Sequence, residues 1–473
     1  MPLEDVAKDI IHDIQKPSSM ALIENNKALF DIFEGELLPI VLEKMKGQLS
    51  PQSYKYAKQR VAPINVLKRI IDKLSKIYQQ NPTREVIDGS DQDKELVAWY
   101  EETLGVDELF NQSNEFMNLQ KNNLIELFVD EGMPKIRTFS AHQFWVYSTN
   151  KVDPTQPTHI VTYDSDHSAN MGKSDKLRIY SDDDFAITDS HGKILPEEMM
   201  MLGNPDGINP YGILPFVYVN QSRNLLIPKP DTDTVEMTTL IPILLTDLNH
   251  AVQFQSFSMM YGIDVDVGEI ARTPNAFLDL KSDPQSEKQP QIGTIKPEVD
   301  IDQVLGLIAS EFSLWLNTRG IKPGSIGQLN RDNFASGVSK MIDEMDISEN
   351  RQKQVTIYRN VERKFWDLLL FHMHPFWVAN GMVENRHLFS PRAKVVTNFK
   401  PQVPMMNRGT LVKDLADEIA SGFTTKKRAI RSLNPHMSEE DADQLISEIE
   451  QERQIIVNGV DDGLATDQNR PTE

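Results

Sequence analysis

At 473 residues, with 39% hydrophobic and 25% charged side chains, the chain has the make-up of a folded protein of two or three domains, or of one elongated multi-lobed body, and wholesale disorder is excluded. Cysteine is absent, which excludes disulfides and thiolate metal sites and suits a cytoplasmic origin. Forty-nine basic against 70 acidic residues leave a formal charge of -21, which argues against tight general binding to nucleic acid, although acidic walls would let a polyanion slide past.

No charged start precedes an apolar stretch of signal-peptide length, and the longest apolar runs, LIPILL and WDLLLF, are too short for a bilayer, so a soluble protein is expected. Residues 1 to about 50 read as short amphipathic helices broken at Pro17 and Pro39. A helix with Val66, Ile70, Leu74, Ile77 and Tyr78 on one stripe is expected to run to Asn81-Pro82, followed by one from Asp93 to Leu104 ending at Gly105 and a third from Val106 to Phe128. From Val129 to about Val219 the period shifts to two, and KIRTFS, FWVYST, THIVTYD, KLRIYSD, DFAITDS and PFVYVN predict a mainly antiparallel sheet lobe. Helix then strand then helix in blocks makes this an α+β chain.

Asp231 to Tyr261 predicts a helix with Pro242 as a kink and Gly262 at its end. The next forty residues or so, to about Asp300, read as short strand-like pieces forming a projecting module, and a helix returns from Asp302 to Arg319 with Val304, Leu307, Ile308, Phe312 and Trp315 on its stripe. A glycine- and proline-containing loop, IKPGSIGQLNRD, hands the chain to a helix from Phe334 that nothing stops before Pro375. At about 1.5 Å per residue that helix would run roughly 60 Å. Its apolar residues cluster as Val338, Met341, Ile342 and Met345, then Val355, Tyr358, Val361, Phe365, Leu368 and Leu369. The polar stretch between them, Asp346 to Gln354, is expected to touch no core of its own chain and to meet solvent or a neighbouring subunit. AKVVTNFKP predicts a strand and Thr410 to Ala420 a short helix, before a basic helix, an Asn434-Pro435 turn and an acidic helix capped by Ser438. The tail from Gln454 is expected to be disordered.

Chemistry is sparse. No GxxxxGK[ST] loop occurs, so no ATP-driven motor is expected in this chain, and neither a cofactor nor a resident metal is called for. Asp164, Asp166 and His167, with Asp182, Asp183 and Asp184, could serve a metal-dependent phosphodiester hydrolase, but each group falls where hairpin turns are expected, and turn chemistry accounts for it. DVDVGE at Asp264 to Glu269 lacks the spacing of a calcium loop, and His372 and His374, two apart on a helix, point about 200° away from each other.

The order of parts, with FASGVSKMIDEMD heading the long helix and GFTTKKRAIRSLNPHMSEEDADQLISEIEQER after it, resembles the portal protein of tailed bacteriophages over about Tyr54 to Arg453. The resemblance implies a wing (1–230), a first stem helix (231–262), a clip (263–300), a second stem helix (301–319), a tunnel loop (320–333), a long helix returning to the wing (334–409), a crown (410–453) and a tail (454–473). It implies a non-enzymatic ring, most often of twelve subunits, at one capsid vertex of the virion, assembled in the host cytoplasm, through which double-stranded DNA is packaged and ejected. The implied partners are the terminase large subunit, major capsid and scaffolding proteins, and head-completion or tail adaptor proteins, with no membrane. Lys322 and Arg331, with Gln328, Asn330 and Asn333, are the expected DNA-channel residues of the tunnel loop. Lys426, Lys427, Arg428 and Arg431 opposite Glu439, Glu440, Asp441 and Asp443 are expected either to join neighbouring crowns or to form two solvated helix faces.

Overall fold

Proline, glycine and side-chain caps each mark some of the N-terminal helix ends. In the computed structural model, which describes residues 3–61, 63–163, 176–231, 233–256, 259–263, 277–280, 291–295, 300–321, 337–399, 408–434, 437 and 441–450, α1 (Leu3–Ile14) gives way to α2 (Pro17–Glu34) with Pro17 in the first turn, where its missing N–H costs nothing. The next break is at Gly35, not Pro39: Gly35 takes the left-handed conformation at φ 109°, and Pro39 lies inside the first turn of α3 (Leu37–Gln48). The short α4 (Pro51–Ala57) is capped by Ser50, and α5 (Val66–Leu74) by Asn65.

α5 ends seven residues before the expected Asn81-Pro82 stop, although Ile77 and Tyr78 beyond its end are buried as the stripe required. Thr83–Ile87 is then a strand, β1, which sequence reasoning missed because its antiparallel partner, Lys394–Asn398, is near the other end of the chain. The helix α6 (Asp91–Leu104) carries a capping box between Ser90 and Asp93 and stops at Gly105. α7 (Val106–Gln120) ends earlier than expected, with Lys121 left-handed at φ 70°.

From α7 the chain enters β2 (Asn122–Asp130), the central strand of a sheet ordered β3-β2-β8, with β3 at Met133–Ser140 and β8 at Phe216–Asn220. A second antiparallel sheet runs in chain order through β4 (Phe144–Tyr147), β5 (His159–Tyr163), β6 (Lys176–Tyr180) and β7 (Phe185–Asp189). Each of the six alternating runs is therefore a strand. The six-residue helix α8 (Pro196–Met201) lies between β7 and β8 in the chain.

α9 (Asp233–Ser256) contains Pro242 and ends before Tyr261, because Met259–Ile263 is a strand, β9. It is the middle strand of a small sheet, parallel to β10 (Phe277–Leu280) and antiparallel to β11 (Gln291–Ile295). α10 (Ile301–Thr318) comes next, capped by Asp300. Of its expected stripe only Trp315 is buried, together with Leu316, while Leu305, Leu307 and Leu314 are exposed.

α11 (Gly337–Asp367) does not stop at Pro375. A π-helical turn, Leu368–Met373, passes into α12 (His374–Ala379), which places Pro375 in a first turn where no donor is required of it. The chain then forms β12 (Lys394–Asn398), the partner of β1. α13 (Arg408–Ala420), α14 (Lys426–Leu433) and a helical stretch at 441–450 complete the described elements.

The chain divides into two compact units, residues 1–332 with 345–400, and residues 333–344 with 401–473. The main core of the first is built on the second apolar cluster, carried by α11 and the π-helical turn after it: Val355, Tyr358, Val361, Phe365, Leu368 and Leu369 are all buried, against Phe110 of α7, Ile125 of β2 and Trp377 of α12. Side chains of this size contribute about 1.5–3 kcal/mol each on burial. The first cluster, Val338 to Met345, falls on side chains outside the described residues. No described helix is long and apolar enough to cross a membrane.

His142, only 2% exposed, packs its ring against Phe30 of α2 at 4.9 Å and bonds Ser140 at 3.1 Å. Burial, helped by Lys27, pushes its pKa down from 6.5 to about 4. The unfolded chain therefore takes up this proton first, so the stability gained by keeping the ring neutral is intact above pH 6.5 and is lost as pH falls through 4. Denaturant titrations across this window should show a loss of roughly 3 kcal/mol that His142→Gln removes; an unchanged slope in the variant would assign it to other groups.

Candidate functional site

The spacing Tyr358, Glu362, Phe365, Leu369 puts a carboxylate on the buried stripe of α11, and the fold gives that carboxylate four donors. Arg84 of β1 meets both oxygens of Glu362, through Nε at 2.7 Å and Nη2 at 3.0 Å. Tyr78 donates its hydroxyl at 2.8 Å and Thr397 of β12 at 2.7 Å. Glu362 is fully buried and the Arg84 side chain is 2% exposed, so neither charge has water to fall back on. Arg84 Nη1 also reaches Glu101 at 3.0 Å and Asp107 at 2.8 Å, the latter without hydrogen-bond alignment. Burial works against the guanidinium charge, but Glu362 outweighs it and leaves the Arg84 pKa raised. Burial, then Glu362, pushes the Tyr78 phenol well above its ordinary value.

The polar run Asp346–Gln354 is packed where it is described, which corrects the expectation of a bare waist. Arg351 and Gln354 are buried, while Glu349, Gln352 and Lys353 face outward. The reason lies in the early end of α5. Its last carbonyls need donors, and Gln354 turns Nε2 toward the Leu74 carbonyl at 3.5 Å while the Arg351 guanidinium approaches Lys76 and Ile77 carbonyls at 3.4 Å. Asn114 and Asn118 of α7 hold Gln354 from the other side, at 2.8 and 2.9 Å.

A third network closes the same unit. Asp93 accepts from Ser90 N–H (2.7 Å) and hydroxyl (2.8 Å), from Ser390 N–H (3.0 Å) and hydroxyl (2.7 Å), and from His387 Nε2 (2.9 Å). Burial pushes this carboxyl up, but bonds from Ser390, Ser90 and His387 outweigh it and hold it well below the usual range. His374 Nε2 lies 2.8 Å from the His387 carbonyl, which can only accept, so Nδ1 of a neutral ring accepts from the Tyr100 hydroxyl at 2.7 Å. Serine, histidine and aspartate thus meet here as a helix cap: Ser390 donates straight to Asp93 with no histidine between them, and no nucleophile-base relay is assembled. His374 is absorbed into this packing, whereas His372 lines a groove on the flank of α11.

That groove is open, holds about 1030 Å³, and is bounded by Lys353, Asn360 and Lys364 on one side and by β8 and the segment to Arg223 on the other. Asp182 Oδ1 accepts from the Leu214 N–H at 3.0 Å, a contact across 32 residues instead of within a hairpin turn, and between β6 and β7 the Asp184 N–H donates to the Ser181 hydroxyl at 2.9 Å. Asp164, Asp166, His167 and the Asp264–Glu269 run lie outside the described residues, and among the described residues no group of three or more acids and histidines is placed to hold a metal.

At the base of α9 and α10, Trp315 donates to Asp233 at 2.8 Å, and Arg319 grips Asp231 at 2.8 Å and Asp233 at 2.6 Å. The expected tunnel-loop residues Lys322, Gln328, Asn330, Arg331 and Asn333 lie outside the described residues. In the second unit Thr425 caps α14, and Lys427 pairs with Asp443 at 2.8 Å and Lys426 with Glu450 at 2.9 Å, all within one chain. Arg431 and Asp441 also have partners, Arg428 is exposed, and Glu439 and Glu440 lie outside the described residues.

No family model matches the chain, and no curated protein matches it. Among solved structures it is similar to a chain from the neck of an empty GTA particle computed with C6 symmetry, at 11% identity and a TM-score of 0.38, over 79% of this chain and 90% of that one. A likeness of that size decides neither fold nor function.

Glu362→Gln removes the one fully buried counter-charge of Arg84 and leaves it the partly exposed Glu101 and Asp107, so it should cost about 3 kcal/mol, the low end for breaking a buried pair. In urea unfolding followed by tryptophan fluorescence, Arg84→Met with Glu362→Met should cost less than the two single changes added. Strict additivity would contradict a coupled pair.

Proposed function

We propose that this chain is a portal subunit: a ring at one capsid vertex that conducts double-stranded DNA during packaging and ejection and docks the terminase large subunit, then head-completion or tail adaptor proteins. The observation that carries the reading is the insertion of a small sheet, β9 to β11, between two long helices that are fastened at their base by Arg319 and Trp315 to Asp231 and Asp233, followed by a 31-residue helix. That succession supports reading these parts as the stem, clip, stem and long helix that the sequence resemblance implies. A helix as long as α11 and the exposed leucines of α10 suit a subunit completed by its neighbours.

In this reading Lys322 and Arg331, with Gln328, Asn330 and Asn333, face the channel, where two positive charges per subunit hold phosphates lightly and release them. The chain supplies no catalysis, and the motor is a separate protein. Neighbouring crowns meet through exposed basic and acidic residues left over from the intrachain pairs, Arg428 among them.

Negative-stain images and the solution mass test this directly. Rings with a central hole, at near twelve times the 53.9 kDa of one chain, are expected; compact single particles with magnesium- or manganese-dependent nuclease turnover would replace the proposal with the hydrolase. Given rings, Lys322→Ala with Arg331→Ala should reduce DNA retention after packaging, and unaltered packaging and retention would remove the role of these two residues.

A further inference from the structure

Two surfaces of the first unit match each other in charge and in exposed apolar side chains. The first surrounds α4. From Lys44 to Ile71 the chain has seven bases and no acid, although acids outnumber bases by 70 to 49 overall. Lys46 near the end of α3, Lys55 of α4, and Lys58 and Arg60 after it are exposed and, among the described residues, make no ion pair. Against these four cations stand Glu43 and the capping Glu36 of α3, with which α4 packs, so the face is basic on balance. The other acids nearby have other company: Glu236 lies one turn of α9 before the Thr239 that takes Lys44 at 2.8 Å, and Glu34 and Asp72 gather with Lys68 around Glu115. Tyr56 and Ile64, in the same stretch, are 60% and 48% exposed.

The second surface lies beside β7, where Met200, Met201 and Leu202 at the end of α8 and Ile208 are half or more exposed. Asn204 makes them one patch. Its N–H donates to the Met199 carbonyl at 3.0 Å, and its side chain bonds the Ile208 carbonyl at 2.9 Å and N–H at 3.2 Å. Ile208 in turn forms a bridge with Asp184. Residues 181–210 hold seven acids and a single lysine or arginine, Lys193. Glu198 is paired with Lys176, and Asp182 and Asp189 accept from backbone N–H groups. Asp183, Asp184, Glu197 and Asp206 are exposed and, among the described residues, make no ion pair. Exposed apolar side chains rimmed by charge mark a contact surface.

We propose that the methionine patch of one copy, with its acids, seats on the basic face around α4 of the next copy. A second copy brings both things this face lacks, carboxylates and exposed apolar area, in equal number. Methionines adapt to the shape they meet and pack well on a ring such as Tyr56, while the charges orient the pair. α4 belongs to the core of α2, α3 and α5, and α8 to that of β7, so the two surfaces differ and the contact runs head to tail, the type that generates rings. This rests on the ring reading and names one contact that closes it.

The absence of cysteine makes the test clean. Tyr56→Cys and Met201→Cys chains, mixed before assembly and treated with a short bismaleimide, should give a covalent pair that neither chain gives alone. Lys55→Glu with Arg60→Glu should raise the concentration needed for half-assembly about tenfold or more, and adding Glu197→Lys with Asp206→Lys to that same chain should restore it. Rings that form unchanged in the first charge variant, no recovery in the second, or no cross-link in the mixture would each overturn the contact and leave the ring standing. Unchanged rings that have lost affinity for DNA would assign the α4 face to nucleic acid instead. A chain that stays single at every concentration would take down both the contact and the ring.

Discussion

The first unit depends on one buried carboxylate. Glu362 gathers Arg84, Tyr78 and Thr397, so β1, the segment after α5, and β12 all converge on the flank of α11. Apolar packing around it is strong but indifferent to direction. A slip of α11 by one turn, about 5.4 Å, would still bury leucines and aromatics, yet it would strand two charges with no water to receive them. The ionic cluster therefore sets where the helix stops along its axis, and the aromatic core sets how firmly it is held there.

The same division recurs elsewhere in that unit. Gln354 meets the last carbonyl of α5 and Arg351 those of Lys76 and Ile77 just beyond it, Asp93 ties the start of α6 to Ser390, and Arg319 clamps the start of α9 to the end of α10. Each joins segments far apart in sequence through a polar group that is satisfied in one geometry only. The apolar faces beyond these fasteners are less complete, with Leu305, Leu307 and Leu314 of α10 in the open. Under the ring reading, neighbours cover such faces.

Much of the fold was legible because its signals are local. The strands β3 to β8 alternate and are bounded by turn residues, and Ser90, Gly105 and Thr425 mark helix ends through their own side chains or lack of one. β2 was not legible: it is buried on both faces from Asn122 to Leu127, so its apolar run looks like more of α7. β1 pairs with the far end of the chain, which no local pattern discloses. The run Asp346–Gln354 was misread because polarity tells that a side chain needs partners, not whether they are water or the carbonyls of another helix. Glu362 was readable in hindsight from its place on an apolar stripe. The opposition of basic and acidic helices around Lys427 and Asp443 could be seen in the sequence, but not that the two residues pair within one chain.

Native-state hydrogen exchange on α11 tests the central claim that a buried ionic cluster pins this helix to its unit. The amides from Val355 to Asp367 should exchange only through global unfolding, with the same denaturant dependence as β2 at the centre of the sheet. Exchange of that segment through a smaller opening, while β2 stays protected, would show that the helix is held loosely and that Glu362 does not fix its place.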